Sequence, residues 1–101
     1  MENENVKNLI NIIDKMDIKD KLRLAICMSQ DKWSGLIYNT KENYEKYSNM
    51  LKSIDEEYRT THINMAKYTY IMLIEAKLMV LPTERQNQIA LYLFNTIKLE
   101  K

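Results

Sequence analysis

The chain is poor in the residues that break regular structure or build chemical sites. Its 101 residues include one Gly, one Pro, one Cys and one His. Hairpins and phosphate-binding loops need several residues with positive φ, which glycine supplies. Zinc needs three or four Cys, His or carboxylate ligands at short spacing. We therefore expect a mainly helical chain with no nucleotide site, no metal site, no cofactor and no enzymatic activity.

The chain also lacks an excess of charge of one sign, because the formal net charge is only +1. No overall positive field draws the chain to nucleic acid or to an acidic membrane, although a local basic patch remains open. The segment 1–5 is acidic and polar, with no apolar signal core behind it. We expect a cytoplasmic protein. The single Cys27 forms no internal disulfide, and its apolar neighbours predict a buried, unreactive thiol.

Apolar residues recur at helical spacing, which predicts an all-α fold, a small bundle of four to six helices in one domain, residues 1–101. A first helix is expected from about Glu4 to Met16. Asp17 caps a second helix from Ile18 to about Met28, and a short piece spans 30–38. A long helix then starts at Thr40, with a predicted inward stripe of Tyr44, Tyr47, Leu51, Ile54 and Tyr58.

Two interpretations are open for the segment around His62. The helix from Thr40 can continue without interruption to Leu81, or it can break near His62 and be followed by a separate helix over 63–81. We favour the break, because a helix much longer than 25 residues is uncommon in a domain of this size. The helix expected over 63–81 carries three charges, too many for a membrane span.

The C-terminal part, residues 63–98, is predicted to be a pair of helices. The 63–81 helix is apolar on nearly every side and is expected at the centre of the core. Pro82 ends it, and Thr83 with Gln86 forms a capping box for the last helix. Residues predicted to be buried are Ile26, Leu73, Leu78, Ile89, Ala90, Leu93 and Ile97. On this prediction Leu73→Ala costs roughly 2–5 kcal/mol.

Residues 28–47 follow the order helix, three-residue turn, helix, with apolar residues on the faces that such a pair buries. This pattern resembles the Cro/C1-type helix-turn-helix of phage and bacterial regulators. In the match, Ser29-Gln30 starts the family's second helix, Ser34 takes its small-residue position, Leu36-Ile37 supplies its core face, and Thr40 caps its third helix. Tyr38 and Asn39 stand where the family usually has a glycine and an aliphatic residue. The match covers about a fifth of the chain, and the candidate helix-turn-helix spans 29–52.

The resemblance implies a small, dimeric DNA-binding regulator that lays the helix from Thr40 in the major groove of double-stranded DNA. The residues expected at the DNA are Lys32, Thr40, Lys41, Asn43, Lys46, Asn49 and Lys52. Asn43 or Asn49 would read adenine edges, and the lysines would contact phosphates. Glu42 and Glu45 on the same surface would repel the phosphates.

A second class of function suits the same composition. The chain has the size and helical character of a non-enzymatic interaction protein, such as a phage-type inhibitor, an immunity protein or an antitoxin-like partner, which acts by binding another protein. Seven Tyr against one Phe favour positions where a ring packs and its hydroxyl meets water or a partner. Half-buried positions at the edge of the core satisfy that preference, and so do positions in a protein interface.

Overall fold

The computed structural model describes residues 2–63 and 65–99, and within them the chain forms six α-helices and no strand. They are α1 (Glu2–Lys15), α2 (Ile18–Ser29), α3 (Ser34–Ile37), α4 (Lys41–Arg59), α5 (Met65–Met79) and α6 (Thr83–Leu99). Residues 1, 64, 100 and 101, which belong to the predicted domain and helical pair, lie outside the described residues. The all-α class predicted from the sequence is confirmed.

Side-chain caps start two of the helices where the sequence predicts them. The Asp17 carboxylate accepts a hydrogen bond from the backbone N–H of Asp20 at 2.8 Å, which caps α2. The Thr40 hydroxyl accepts one from the N–H of Asn43 at 3.0 Å, which caps α4. Each cap satisfies an N–H that has no partner inside its helix.

The long apolar pattern from Thr40 onward is interrupted as expected. Helix α4 ends at Arg59, and turn residues 60–63 separate it from α5. The side-chain hydroxyls of Thr60 and Thr61 donate to backbone carbonyls in the last turn of α4, with Thr60 reaching the carbonyls of Glu56 and Glu57 at 3.2 Å. These bonds add to those from the backbone N–H groups of Thr60 and Thr61, which reach the same carbonyls.

The centre of the bundle is α2 and not the helix after His62. Helix α2 packs against α3, α4, α5 and α6, and its residues from Leu24 to Ser29 are all buried. Helix α5 buries one face only, formed by Tyr68, Ile71, Ile74 and Leu78. Leu73 points away from that face and is 60% exposed, so its predicted burial is wrong. The other predicted core residues, Ile26, Leu78, Ile89, Ala90, Leu93 and Ile97, are buried.

Tyr44 also departs from the prediction. Tyr47, Leu51 and Ile54 form the buried stripe of α4, whereas Tyr44 is 58% exposed. Its ring contacts that of Tyr38 across the turn, edge to face, with 5.4 Å between the centroids. Tyr44 therefore packs on the surface beside the turn, and its predicted inward position is wrong.

Gln86 does not form the predicted capping box. That motif needs its side-chain oxygen to accept from a backbone N–H at the helix start, but the buried Oε1 has no hydrogen-bond partner among the described residues. Its Nε2 instead donates to the carbonyls of Met79 at 3.1 Å and Leu81 at 2.8 Å. Gln86 thus ties the start of α6 to the end of α5.

Candidate functional site

The segment that resembles a helix-turn-helix has a different second helix from the one expected. Ser29 is the last residue of α2, and its hydroxyl donates to the carbonyl of Ile26 at 2.8 Å. Residues 30–33 form turns, and the short helix α3 begins only at Ser34. The expected start at Ser29-Gln30 is therefore wrong, and the helix before the turn has four residues.

The turn between α3 and α4 uses ordinary backbone geometry. Tyr38 has φ −101° and ψ 39°, and no described residue has a positive φ. The glycine that the family usually places here is therefore not required. The buried Ile37 anchors the segment in the core, as the resemblance implies, while Leu36 is only half-buried.

The polar residues predicted to read DNA lie around the start of α4. Asn43 is half-buried, and its Nδ2 donates to Oδ1 of Asn39 at 2.8 Å. It lies four residues before the buried Tyr47, so both are on the same side of the helix. Asn43 is therefore not on the fully outward side of α4. Asn49, by contrast, is exposed and lies on the outward side.

The four lysines of the predicted DNA surface are exposed or half-buried. The Nζ of Lys32 lies 5.4 Å from the centroid of the Trp33 ring, and that of Lys46 lies 5.2 Å from the Tyr47 ring. Lys41 and Lys52 are exposed on α4. In each aromatic contact the ammonium group itself lies over the ring, as in a cation–π interaction.

The structure does not bring these side chains to one face. At about 100° per residue, the predicted positions from Lys41 to Lys52 spread over about 200° of α4. The most outward positions also carry the carboxylates of Glu42, Glu45 and Glu56, all exposed. A duplex lying along this side would meet acidic groups between the basic ones.

A continuous apolar surface lies instead on the solvent side of α5. We call it the α5 outer face, and its residues are Met65, Ala66, Thr69, Met72, Leu73, Ala76, Met79 and Val80. All are exposed, the five large ones by 43–82%. None is charged, because the charged residues of α5, Lys67, Glu75 and Lys77, lie at its margins or on other sides.

A groove between α1 and α5 borders this face. Helix α1 packs on α6 while α5 packs on α2, so the two helices leave a gap. Three adjoining depressions of about 300 to 350 Å³ follow that gap, and the side chain of Ile12 lines all of them. Tyr70, Leu73 and Lys77 line its α5 side. The apolar surface therefore continues from the outer face into the groove.

The opposite, buried side of α5 holds a group of weakly acidic side chains. Burial, the charge of Asp31 and a hydrogen bond with its carboxyl group raise the pKa of Glu75. Burial, followed by the charges of Glu75 and Asp31, raises the pKa of Cys27 to about 12. The predicted burial of Cys27 is confirmed, and its thiol stays protonated and poorly nucleophilic near neutral pH.

Other kinds of site receive no support from the geometry. In the part of the chain that the structure describes, no three His, Cys, Asp or Glu side chains are grouped so that they could hold a metal ion. No helix within 2–63 and 65–99 is long and apolar enough to cross a membrane. No family model, curated protein or solved structure matches this chain.

The sequence prediction missed the α5 outer face because it placed the whole helix in the core. The residues of α5 carry no clear signal for this face, because the helix is apolar on nearly every side. The prediction of the DNA surface rested on a local motif, whose residues the fold distributes around α4.

Proposed function

We propose that this chain is a non-enzymatic interaction protein that binds a protein partner through the α5 outer face. The observation that carries this proposal is the row of five large apolar side chains, 43–82% exposed, with no charge among them. At those fractions they present on the order of 600 Å², the upper end for the largest apolar patch on a typical monomer. Patches of this size commonly mark binding surfaces.

The shape of the surface also supports a protein ligand. Between Met65 and Val80 the outer face runs roughly 22 Å at 1.5 Å per residue, nearly the shortest dimension, 24 Å, of the molecule. A helix laid along it would contact apolar side chains every three to four residues, as in helix-in-groove recognition. Three methionines add flexible side chains that adapt to a partner's contour.

DNA reading is the second candidate, and the cap at Thr40 favours it, because α4 begins where the resemblance implies. The acidic residues Glu42, Glu45 and Glu56 on the outward side make this surface a weaker fit to phosphate than α5 is to an apolar partner. We therefore rank protein binding first.

Site-specific crosslinking in producing cells tests the proposal. A photoreactive phenylalanine analogue at position 73 should give a discrete protein adduct, which Val80→Asp in the same chain should abolish. The matched control places the analogue at position 49, on the outward side of α4. Adducts from position 49 with none from position 73 would contradict the proposal.

A further inference from the structure

We infer that the partner of the α5 outer face is a second copy of this chain, bound antiparallel through the same face around a twofold axis. This inference rests on the proposed function. A twofold interface needs a surface that complements itself, so that what one copy projects the other receives. The order of large and small residues on α5 has this property.

Large and small side chains alternate along the outer face so that two antiparallel copies mesh. When Leu73 faces Ala76 of the second copy, Val80 faces Thr69, because both pairs then share one axis between positions 74 and 75. Leu73 and Val80 of each copy then meet a small side chain of the other, which allows the close packing seen in protein interiors. A parallel pair would instead set Leu73 against itself and leave a gap at Ala76.

The buried area reaches what a dimer of moderate stability needs. The five large side chains present on the order of 600 Å², and the small residues between them and the rim of the α1/α5 groove bring each copy close to the roughly 800 Å² of a standard interface. The formal net charge of +1 causes little repulsion between copies. The eight residues of the outer face carry no charge, so their burial leaves no ion without a partner.

Sedimentation velocity from about 1 to 300 µM, a range that spans micromolar dissociation constants, is the first test. The mass should rise from 12.1 kDa toward about twice that value. Leu73→Asp should weaken association at least about ten-fold, because a carboxylate would be buried in the seam. The matched control is Leu91→Asp on α6, where Leu91 is 42% exposed, and it should dimerise like the parent. Circular dichroism verifies that both variants are folded.

Cysteine pairs test the orientation. A mixture of Thr69→Cys and Val80→Cys chains should form a mixed disulfide, because these positions face each other. Thr69→Cys alone should not, because in the antiparallel pair its two copies are about 11 residues, or roughly 16 Å, apart, beyond disulfide reach. The buried Cys27, with its raised pKa, does not compete. A bridge between two Thr69→Cys chains would overturn the antiparallel arrangement.

A chain that stays monomeric throughout the concentration range would overturn the inference of a second copy. If position 73 nevertheless crosslinks to a different protein in cells, the proposed function stands and only the identity of the partner changes. If position 73 gives no adduct of either kind, both are contradicted.

Discussion

The carboxyl group of Glu75 on α5 lies beside that of Asp31 in the turn after α2, and burial together with this neighbour raises the pKa of Glu75. The Oε2 atom of Glu75 is buried and has no hydrogen-bond partner among the described residues. Burial and a neighbouring negative charge both favour the protonated form of a carboxyl group. The protonated form of Glu75 is therefore favoured in the folded chain.

Because of Glu75, we expect the free energy of unfolding to fall as pH rises. Burial, with the charge and hydrogen bond of Asp31, raises the folded pKa of Glu75 above its ordinary value of 4.5. The folded chain thus binds this proton more tightly than the unfolded chain does. The stabilisation is fully present below pH 4.5 and is lost as pH rises through the folded pKa.

Denaturant unfolding between pH 4 and 8 measures this effect. Glu75→Gln, which keeps a hydrogen-bonding side chain without a charge, should raise the free energy of unfolding at pH 7 and flatten its decline with pH. Glu56→Gln on the exposed side of α4 is the control and should leave the profile unchanged. An identical pH profile for Glu75→Gln and the parent would refute the role of the pair.

The ion pair between Arg23 and Glu57 should contribute more to stability than any exposed pair. Arg23 reaches Asp20 at 2.6 Å and Glu57 at 3.1 Å, and its side chain is only 12% exposed. Arg23→Ala should cost roughly 1.5–3 kcal/mol, because Glu57 would then lose its charged hydrogen bonds. Arg59→Ala removes a pair with Asp55 at 3.0 Å whose arginine is 73% exposed. It should cost less than about 0.5 kcal/mol. Equal losses in urea unfolding would contradict the difference in burial.

Truncation of two leucines of α5 should destabilise the fold by very different amounts. Leu78 is 3% exposed and Leu73 is 60% exposed. Leu78→Ala should cost roughly 2–5 kcal/mol through lost burial and a cavity, whereas Leu73→Ala should cost less than about 1 kcal/mol. Unfolding is measured at about 1 µM protein, so that association contributes little. A larger loss of stability from Leu73→Ala would indicate that α5 lies at the centre of the core after all.

Local signals made part of the fold predictable. Asp17 and Thr40 act on N–H groups within three residues, so their caps follow from the sequence alone. The buried face of α6 follows from its periodicity in the same way. The break near His62 was predicted from helix length, and the structure adds the threonine hydroxyls that close α4.

The face of α5 could not be predicted from its own residues. A helix that is apolar on nearly every side has no preferred orientation, and only packing on α2 decides that Tyr68 is buried and Leu73 exposed. Gln86 was misassigned for a related reason: its amide serves carbonyls before Pro82, a contact that depends on how α6 folds back on α5.

Salt dependence separates protein binding from DNA reading. A helix-turn-helix dimer that uses Lys32, Lys41, Lys46 and Lys52 of both copies should lose DNA affinity with a log–log slope near about −7. Asn43→Ala would then cost roughly 1–3 kcal/mol on the preferred sequence and little on random DNA. We expect neither effect in anisotropy titrations, since acidic residues share that side of α4. Finding both would move DNA reading to first place.

Oxidative footprinting inside producing cells tests most directly whether the α5 outer face is covered. Met65, Met72 and Met79 are 43–62% exposed and should be oxidised by hydroxyl radicals in the dilute purified protein. We expect their protection in cells, where a protein covers them, while Tyr44, 58% exposed on α4, is modified in both settings. Equal oxidation of the three methionines in cells and in dilute solution, with protection of Tyr44 alone, would contradict the assignment of α5 as the binding surface.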